Sequence, residues 1–290
     1  MPTQSQPSVD RLAALFQRFR VQAELFHTGA LCGVSSFPAK PGRGFLHVLR
    51  RGEMVLTHQR GAAVPRRIQL NEPTLMFYPQ SWTHEFHNAP AKGCEFTCAT
   101  LDFEGGSTHP LVRALPPLVL VSLSRVPGLD SCLNLLFAET DNVRCGHRFL
   151  ADRLFEVVLM QLLRWLLDHP VECGVQSGLI MGLADPALAR SLTAMHDQPG
   201  APWSLQAMAE QAGMSRSSFA ARFKEVVGAT PADYLADWRL TIAKSLLINR
   251  RSVKHIADEL GYANASALSR VFAQRVGVSP RDWLATTVEK

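Results

Sequence analysis

Residues 208–234 read MAEQAGMSRSSFAARFKEVVGATPADY, and residues 256–283 read IADELGYANASALSRVFAQRVGVSPRDW. The two stretches are copies of one pattern. Gly213 falls on Gly261 at a step of 48, while Phe223 falls on Phe272, Gly228 on Gly277, Pro231 on Pro280 and Tyr234 on Trp283 at a step of 49. One residue is therefore inserted in the second copy, between the turn glycine and the helix after it. Each copy spells helix, tight turn, helix. In the first, Ser204 caps a helix running to Ala212 with Leu205, Met208 and Ala209 inward. Gly213 supplies the permissive backbone of the turn. Ser215 caps the next helix, which carries Phe219 and Phe223 inward. In the second copy Ser252 is the cap, Ile256, Ala257 and Leu260 face inward, Gly261 turns, and Leu268 and Phe272 are the inward pair. Both copies close on one start signal, Thr230-Pro-Ala-Asp233 and Ser279-Pro-Arg-Asp282: a hydroxyl cap, a proline at the first helical position and an acid in the first turn.

Two helices joined by a short turn form a helix-turn-helix, whose second helix can enter the DNA major groove. Two such units in one chain suit two successive major-groove faces, about 34–36 Å apart. The plain alternative is a pair of αα-hairpins in a helical bundle. Duplication, matched caps and charge speak against it. The chain has 30 Lys and Arg against 25 Asp and Glu, a net of +5, and residues 198–290 hold twelve of the former against eight of the latter. The basic surplus sits on the duplicated segment, which suits a polyanion partner without demanding one.

The motifs extend beyond the repeat: A-x-x-A-G-M-S (209–215), F-K-x-x-x-G-x-x-P-x-x-Y-L (223–235), W-R-L-x-x-A-x-x-L-L (238–247), I-A-x-x-x-G-Y (256–262), S-x-L-S-R-V-F (266–272) and G-V-S-P-R-D-W (277–283). Together they resemble the DNA-binding domain of the AraC/XylS family of bacterial transcription regulators. The resemblance implies a tandem helix-turn-helix joined by a long helix at about residues 232–247, with double-stranded DNA and RNA polymerase as partners. It places Arg216, Ser217, Ala220, Ala221 and Lys224 of the first copy, and Asn264, Ser266, Ser269 and Arg270 of the second, against DNA. Small residues at Ser217, Ala220 and Ala221 depart from the usual long polar readers and suit thymine methyls, whereas Arg270 can pair with guanine O6 and N7. Arg239, Arg250, Arg251, Lys254 and Arg281 are expected as phosphate contacts or solvated charges.

Upstream the texture changes. Residues 9–20 have helical spacing, with Leu12, Leu15, Phe16 and Phe19 on one face. From about residue 23 to 124 the segments are short and broken by turns, with strands expected at 45–49, 54–58, 67–70, 74–78 and 95–101. F-L-H-V-L-R-R-G-E (45–53), L-x-x-x-T-L-M-F-Y-P-x-x-x-x-H (70–84) and C-A-T-L-D-F (98–103) resemble the cupin-type sensor barrel found ahead of this DNA-binding module. Asn71-Glu72-Pro73 stands where a glycine-aspartate turn is common. Residues 146–168 form a helix too broadly apolar for one core, from which a homodimer is expected. The expected fold is α+β: a cupin-like β-barrel with flanking helices over residues 1–195, a linker at 196–202 rich in proline and glycine, and an all-α tandem helix-turn-helix domain over 203–290.

Three chemistries suit a sensing barrel. His47, His84, His87 and Cys98 are candidate metal ligands, although the H-x-H pair and downstream acid of metal-binding cupins are missing. Cys94 and Cys98 share one strand face, with Cys32 able to approach across the sheet, as a redox or electrophile switch requires. Phe45, Met76, Tyr78, Trp82 and Phe86 ring a space for a small organic effector. No cofactor is otherwise expected. Six cysteines in 290 residues do not make a disulfide scaffold, no apolar run reaches the ~18 residues of a spanning helix, and the N-terminus has no apolar signal core. The expectation is a cytoplasmic regulator that does not meet a membrane and is not an enzyme, most often an activator. A cupin metalloenzyme with an appended helical module and a pure interaction adaptor are the rival readings.

Overall fold

The computed structural model describes residues 9–31, 33–40, 42–61, 63–88 and 93–288. The chain divides into two units, Arg20–Val175 on one side and Met1–Phe19 with Gln176–Lys290 on the other. The short helix α1 (Ala13–Arg18) belongs to the second.

The strands of the first unit are β1 (Val21–Leu31), β2 (Val34–Phe37), β3 (Arg43–Arg51), β4 (Met54–His58), β5 (Arg67–Leu70), β6 (Thr74–Tyr78), β7 (His84–Asn88), β8 (Cys94–Phe103) and β9 (Val119–Ser122). They pair antiparallel in two sheets, β1-β8-β3-β6-β9 and β2-β7-β4-β5. The five expected strands are β3, β4, β5, β6 and β8. Two kinds of sequence make the two sheets. In β3 and β6 nearly every side chain is buried, because the larger sheet is covered on both faces. Phe45, Leu49, Met76, Tyr78, Phe96 and Cys98 face the inner cluster, together with Leu56 and Phe86 from the opposite sheet. Leu46, Val48, Leu75 and Phe77 alternate with them and are equally buried. In β4 burial alternates, since the smaller sheet shows its outer face to water.

The barrel is followed by α2 (Pro110–Ala114), α3 (Leu129–Asp141) and α4 (His147–Asp168). α4 packs on β1 and protects that edge of the sheet. Asp152 accepts from the Leu25 N–H at 2.6 Å and Glu156 from the Ala23 N–H at 3.4 Å. Arg50 forms a bidentate pair with Asp141 and lies 3.8 Å above the Phe137 ring, which ties β3 to α3.

The second unit is helical: α1, α5 (Leu179–Ala184), α6 (Pro186–Asp197), α7 (Leu205–Ala212), α8 (Arg216–Val227), α9 (Pro231–Ile248), α10 (Val253–Glu259), α11 (Ala265–Val276) and α12 (Pro280–Val288). The expected division at 196–202 is corrected here. Residues 176–195 and helix α1 pack with the duplicated region, and the stretch 196–202 lies inside that unit. His196 is buried, stacked 3.9 Å from Trp238 and bonded to the Tyr234 hydroxyl at 2.6 Å. Arg239 donates to the Pro199 and Ala201 carbonyls at 2.7 and 3.1 Å. Proline and glycine suggested a free linker. Gly200 instead serves close backbone packing, since a Cβ there would stand 2.3 Å from the Glu259 carbonyl oxygen.

Gly261 faces the same contact from the other side. It has φ +72, and a Cβ would stand 2.1 Å from the Gly200 oxygen, whereas Gly277 has φ +90 with nothing within 4 Å. Gly277→Ala is therefore expected to cost only the left-handed backbone penalty, about 1–2 kcal/mol. Gly261→Ala is expected to cost clearly more, because backbone must also move. Urea denaturation of the two variants checks this, and equal losses would contradict the packing account.

Candidate nucleic-acid interface

Every helix of the duplicated region begins on the cap that its sequence offers. Ser204, Ser215, Thr230, Ser252 and Ser279 each accept a backbone N–H three residues on, at 3.1–3.3 Å. α7 ends on Gly213 in the left-handed region, and Arg190 donates to the Ala212 carbonyl at 2.7 Å. Phe219 and Phe223 of α8, and Leu268 and Phe272 of α11, are buried at 0–1% exposure, so both second helices are held by the same inner face.

Their opposite faces are open. On α8, Arg216, Ser217, Ala221 and Lys224 are exposed. Ala220 is half-buried and borders a hollow of about 390 Å³ shared with Trp203, Met208, Pro231 and Leu235, so it turns partly away from solvent. On α11, Ser266 and Arg270 are exposed and Ser269 is half-buried. Asn264 is exposed, but its side-chain oxygen caps α11 by accepting from the Ala267 N–H at 2.9 Å. Its free part is the amide nitrogen.

The cations separate into two groups. Arg222 pairs with Asp185 at 2.7 Å, where Asp185 also caps α6 by accepting from the Ala187 and Leu188 N–H groups. Burial pushes the Asp185 carboxyl up, but the Leu188 N–H, Arg222 and the Ala187 N–H outweigh it and hold it below its ordinary value. Arg275 bridges Asp233 at 2.6 Å and Asp237 at 2.9 Å, fastening α11 to α9. Arg239, expected as a phosphate contact or solvated charge, is an internal strut. These structural arginines had no signal in the sequence beyond their charge. Arg216, Lys224, Arg250, Arg251, Lys254, Arg270 and Arg281 are exposed and have no carboxylate partner among the described residues. α9 joins the copies, and its 18 residues span about 27 Å at ~1.5 Å per residue.

In the barrel the candidate sensing residues do not assemble as expected. Cys32 lies outside the described residues. Cys94 and Cys98 share the inner face of β8 and are buried, and the Cys94 thiol donates to the Glu53 carbonyl at 3.0 Å. Burial pushes the Cys98 thiol well up, so it stays protonated and is a poor nucleophile. Phe45, Met76, Tyr78 and Phe86 fill the inner cluster, with Trp82 packed against it, instead of ringing a space.

His47 and His84 do meet, with their Nε2 atoms 3.0 Å apart. The His84 Nδ1 donates to the Trp82 carbonyl at 2.7 Å, which leaves its Nε2 as acceptor for the His47 Nε2–H. The His47 Nδ1 then keeps a bare lone pair, buried and without a partner. Two imidazoles sharing a hydrogen bond are fewer than the three protein ligands a zinc site takes. Cys98 does not complete the set, and His87 bonds the Thr57 hydroxyl at 2.9 Å on the outer face. Among the described residues no three His, Cys, Asp or Glu groups converge for a metal ion. The donor set does not fit the metal that the barrel type suggested.

Comparison with known proteins bears on both units. Residues 10–168 match the family model described as Cupin, and residues 208–286 match the one described as Helix-turn-helix domain. The chain is 33% identical over 176 residues to a putative AraC-like transcription regulator of Streptomyces lividans, a match covering 60% of this chain and 57% of that protein. It thus spans little more than half the length of that relative. It is 25% identical over 264 residues to an uncharacterized HTH-type transcriptional regulator of Haemophilus influenzae, covering 83% of this chain and 86% of that one. Among solved structures, the DNA-binding domain of the global transcriptional factor AdpA in complex with a target DNA is 26% identical, with a TM-score of 0.32, over 35% of this chain and 92% of that one. Among the described residues no helix is long and apolar enough to cross a membrane.

Proposed function

The chain belongs to the AraC-type transcription regulators with an N-terminal cupin domain, and on that premise we propose that it binds duplex DNA through α8 and α11 and controls transcription from a signal received by the barrel. The observation that carries this reading is the pair of helix-turn-helix units, each buried on one face of its second helix and open on the other, beside seven exposed cations with no carboxylate partner among the described residues. The direction of control that the family implies is activation, through a contact with RNA polymerase. A cupin metalloenzyme would need a ligand set that the described residues do not bring together. The test is selection of a binding site from random duplexes, followed by gel shifts with Arg270→Ala alongside. Sequence-preferring, salt-sensitive binding that the variant weakens at one position supports the proposal; affinity indifferent to sequence contradicts it.

The barrel unit is also proposed to pair with a second copy. Leu135 of α3 is 60% exposed, and on α4 Phe149, Leu150 and Val157 are 67%, 45% and 42% exposed. Phe149 and Val157 lie on one stripe of α4 with Arg153, whose guanidinium covers the Phe149 ring at 5.2 Å. Sedimentation at micromolar concentration is expected to give a dimer, and the double variant Phe149→Asp with Val157→Asp a monomer. A monomeric parent chain would contradict this surface.

A further inference from the structure

The hairpin β4–β5 and strand β7 enclose a pocket of about 530 Å³, a size that suits a small molecule. Arg60, Arg66 and Arg67 line it, with Thr57, Thr83 and Gln59 as further donors. His58 and His84, 5% and 1% exposed, lie at its inner side, so the pocket reaches toward the barrel interior. Among the described residues Glu85 is its one acidic wall residue, and the His87 Nε2 stands 3.4 Å from it.

Elsewhere on the barrel the arginines of β3 have carboxylate partners: Arg43 with Asp102, Arg50 with Asp141 and Arg51 with Glu95. Arg60, Arg66 and Arg67 have none among the described residues. Three guanidinium groups around one cavity, facing a single carboxylate already shared with a histidine, leave net positive charge at a concave site. Guanidinium forks bind carboxylate and phosphate oxygens in pairs.

We propose that this pocket is a binding site for a small oxyanion, a molecule carrying carboxylate or phosphate groups. The proposal rests on the reading of the barrel as the sensing half of the regulator and names the class of its effector. A small anion is favoured over the backbone of a duplex because the pocket's inner side is made of buried histidines that a duplex cannot reach. An anion there sits beside the two side chains that lead inward. His58 bonds the Pro65 carbonyl at 2.7 Å and the Tyr78 hydroxyl at 2.8 Å, and His84 stacks on Tyr78 and bonds His47. Occupancy of the pocket is thereby coupled to the inner cluster through two hydrogen-bonded imidazoles.

The test is calorimetry on the full chain with citrate, with inorganic phosphate and with sodium chloride at matched ionic strength. It needs no DNA, so its result stands apart from the DNA-binding proposal. Saturable binding of citrate alone assigns a carboxylate ligand, and of phosphate alone a phosphate ligand. The triple variant Arg60→Ala, Arg66→Ala, Arg67→Ala, all exposed positions, is expected to weaken that binding at least tenfold, while Arg113→Ala on α2 leaves it unchanged. No saturable binding of either anion overturns the proposal, as does binding that survives the triple variant. Loss of duplex affinity in the triple variant without any anion binding would assign the arginines to nucleic acid and overturn it equally.

Discussion

Duplex affinity of the full chain is expected to fall about a thousandfold to ten-thousandfold when monovalent salt is raised from about 50 to about 200 mM. The seven exposed cations of the helix-turn-helix unit carry this expectation. Each phosphate neutralised releases condensed counterions, so seven contacts give a slope of about −6 in log affinity against log salt. Arg222, Arg239 and Arg275 are excluded because Asp185, the 199–201 carbonyls, and Asp233 with Asp237 already hold them. Replacing Lys254 by Ala is expected to lower the slope by about one without changing sequence preference. Arg270→Ala is expected to behave differently, relaxing preference at one base pair and weakening the best site by about tenfold to a hundredfold. Gel shifts across a salt series check both. A shallow slope would mean that the open cations do not face the duplex.

Acid is expected to destabilise the barrel unit by about 4 kcal/mol between pH 7 and pH 5, through His47 and His84. Both are buried. Burial, then His84 and then His27 push His47 well below its ordinary 6.5. Burial and then His58 bring His84 down to about 4, against a smaller opposing pull from the Trp82 carbonyl. Above pH 6.5 the rings are neutral folded or unfolded, and they contribute no pH dependence. Below it the unfolded chain takes up a proton on each ring while the folded chain does not, so the unfolded state gains about 1.4 kcal/mol per pH unit per histidine. The loss for His84 levels off near pH 4, where the folded ring also titrates. In the other unit His196, brought down to about 3 by burial and then by Arg18, acts in the same direction. Urea denaturation followed by barrel-specific fluorescence at several pH values checks the barrel slope. His47→Phe is expected to flatten it, and an unchanged slope would mean that the ring is not buried neutral.

The helical half was legible because its signals are local. Caps at Ser204, Ser215, Thr230, Ser252 and Ser279, turn glycines and aromatic inner pairs all act within a few residues, and α9 at Pro231–Ile248 lies close to the expected 232–247. What stayed hidden depends on distant neighbours. Pro199, Gly200 and Pro202 read as a linker because nothing in that stretch announces that Arg239 and Gly261 lie against it. Arg239 looked like a phosphate contact or solvated charge, and nothing marked Arg275 as a strut, since charge alone does not say which carboxylate or carbonyl will meet it. In the barrel, Cys98, Phe45, Met76 and Tyr78 were placed on the correct strands, while β7, which carries Phe86, was not expected. Whether they line a space or fill it is set by the packing between β3, β6, β8 and the opposite sheet. The three arginines around the pocket went unnoticed because Arg60 and Arg66 lie between β4 and β5 and Arg67 opens β5. Only the hairpin brings them together.

Hydroxyl-radical footprinting of the full chain on its selected site tests most directly that each molecule uses both copies at once. The account predicts two protected patches about 10 base pairs apart on one face of the duplex for each bound chain. One of them should fade in Arg270→Ala and the other in Arg216→Ala. A single patch per chain that responds to only one of the two variants would contradict it.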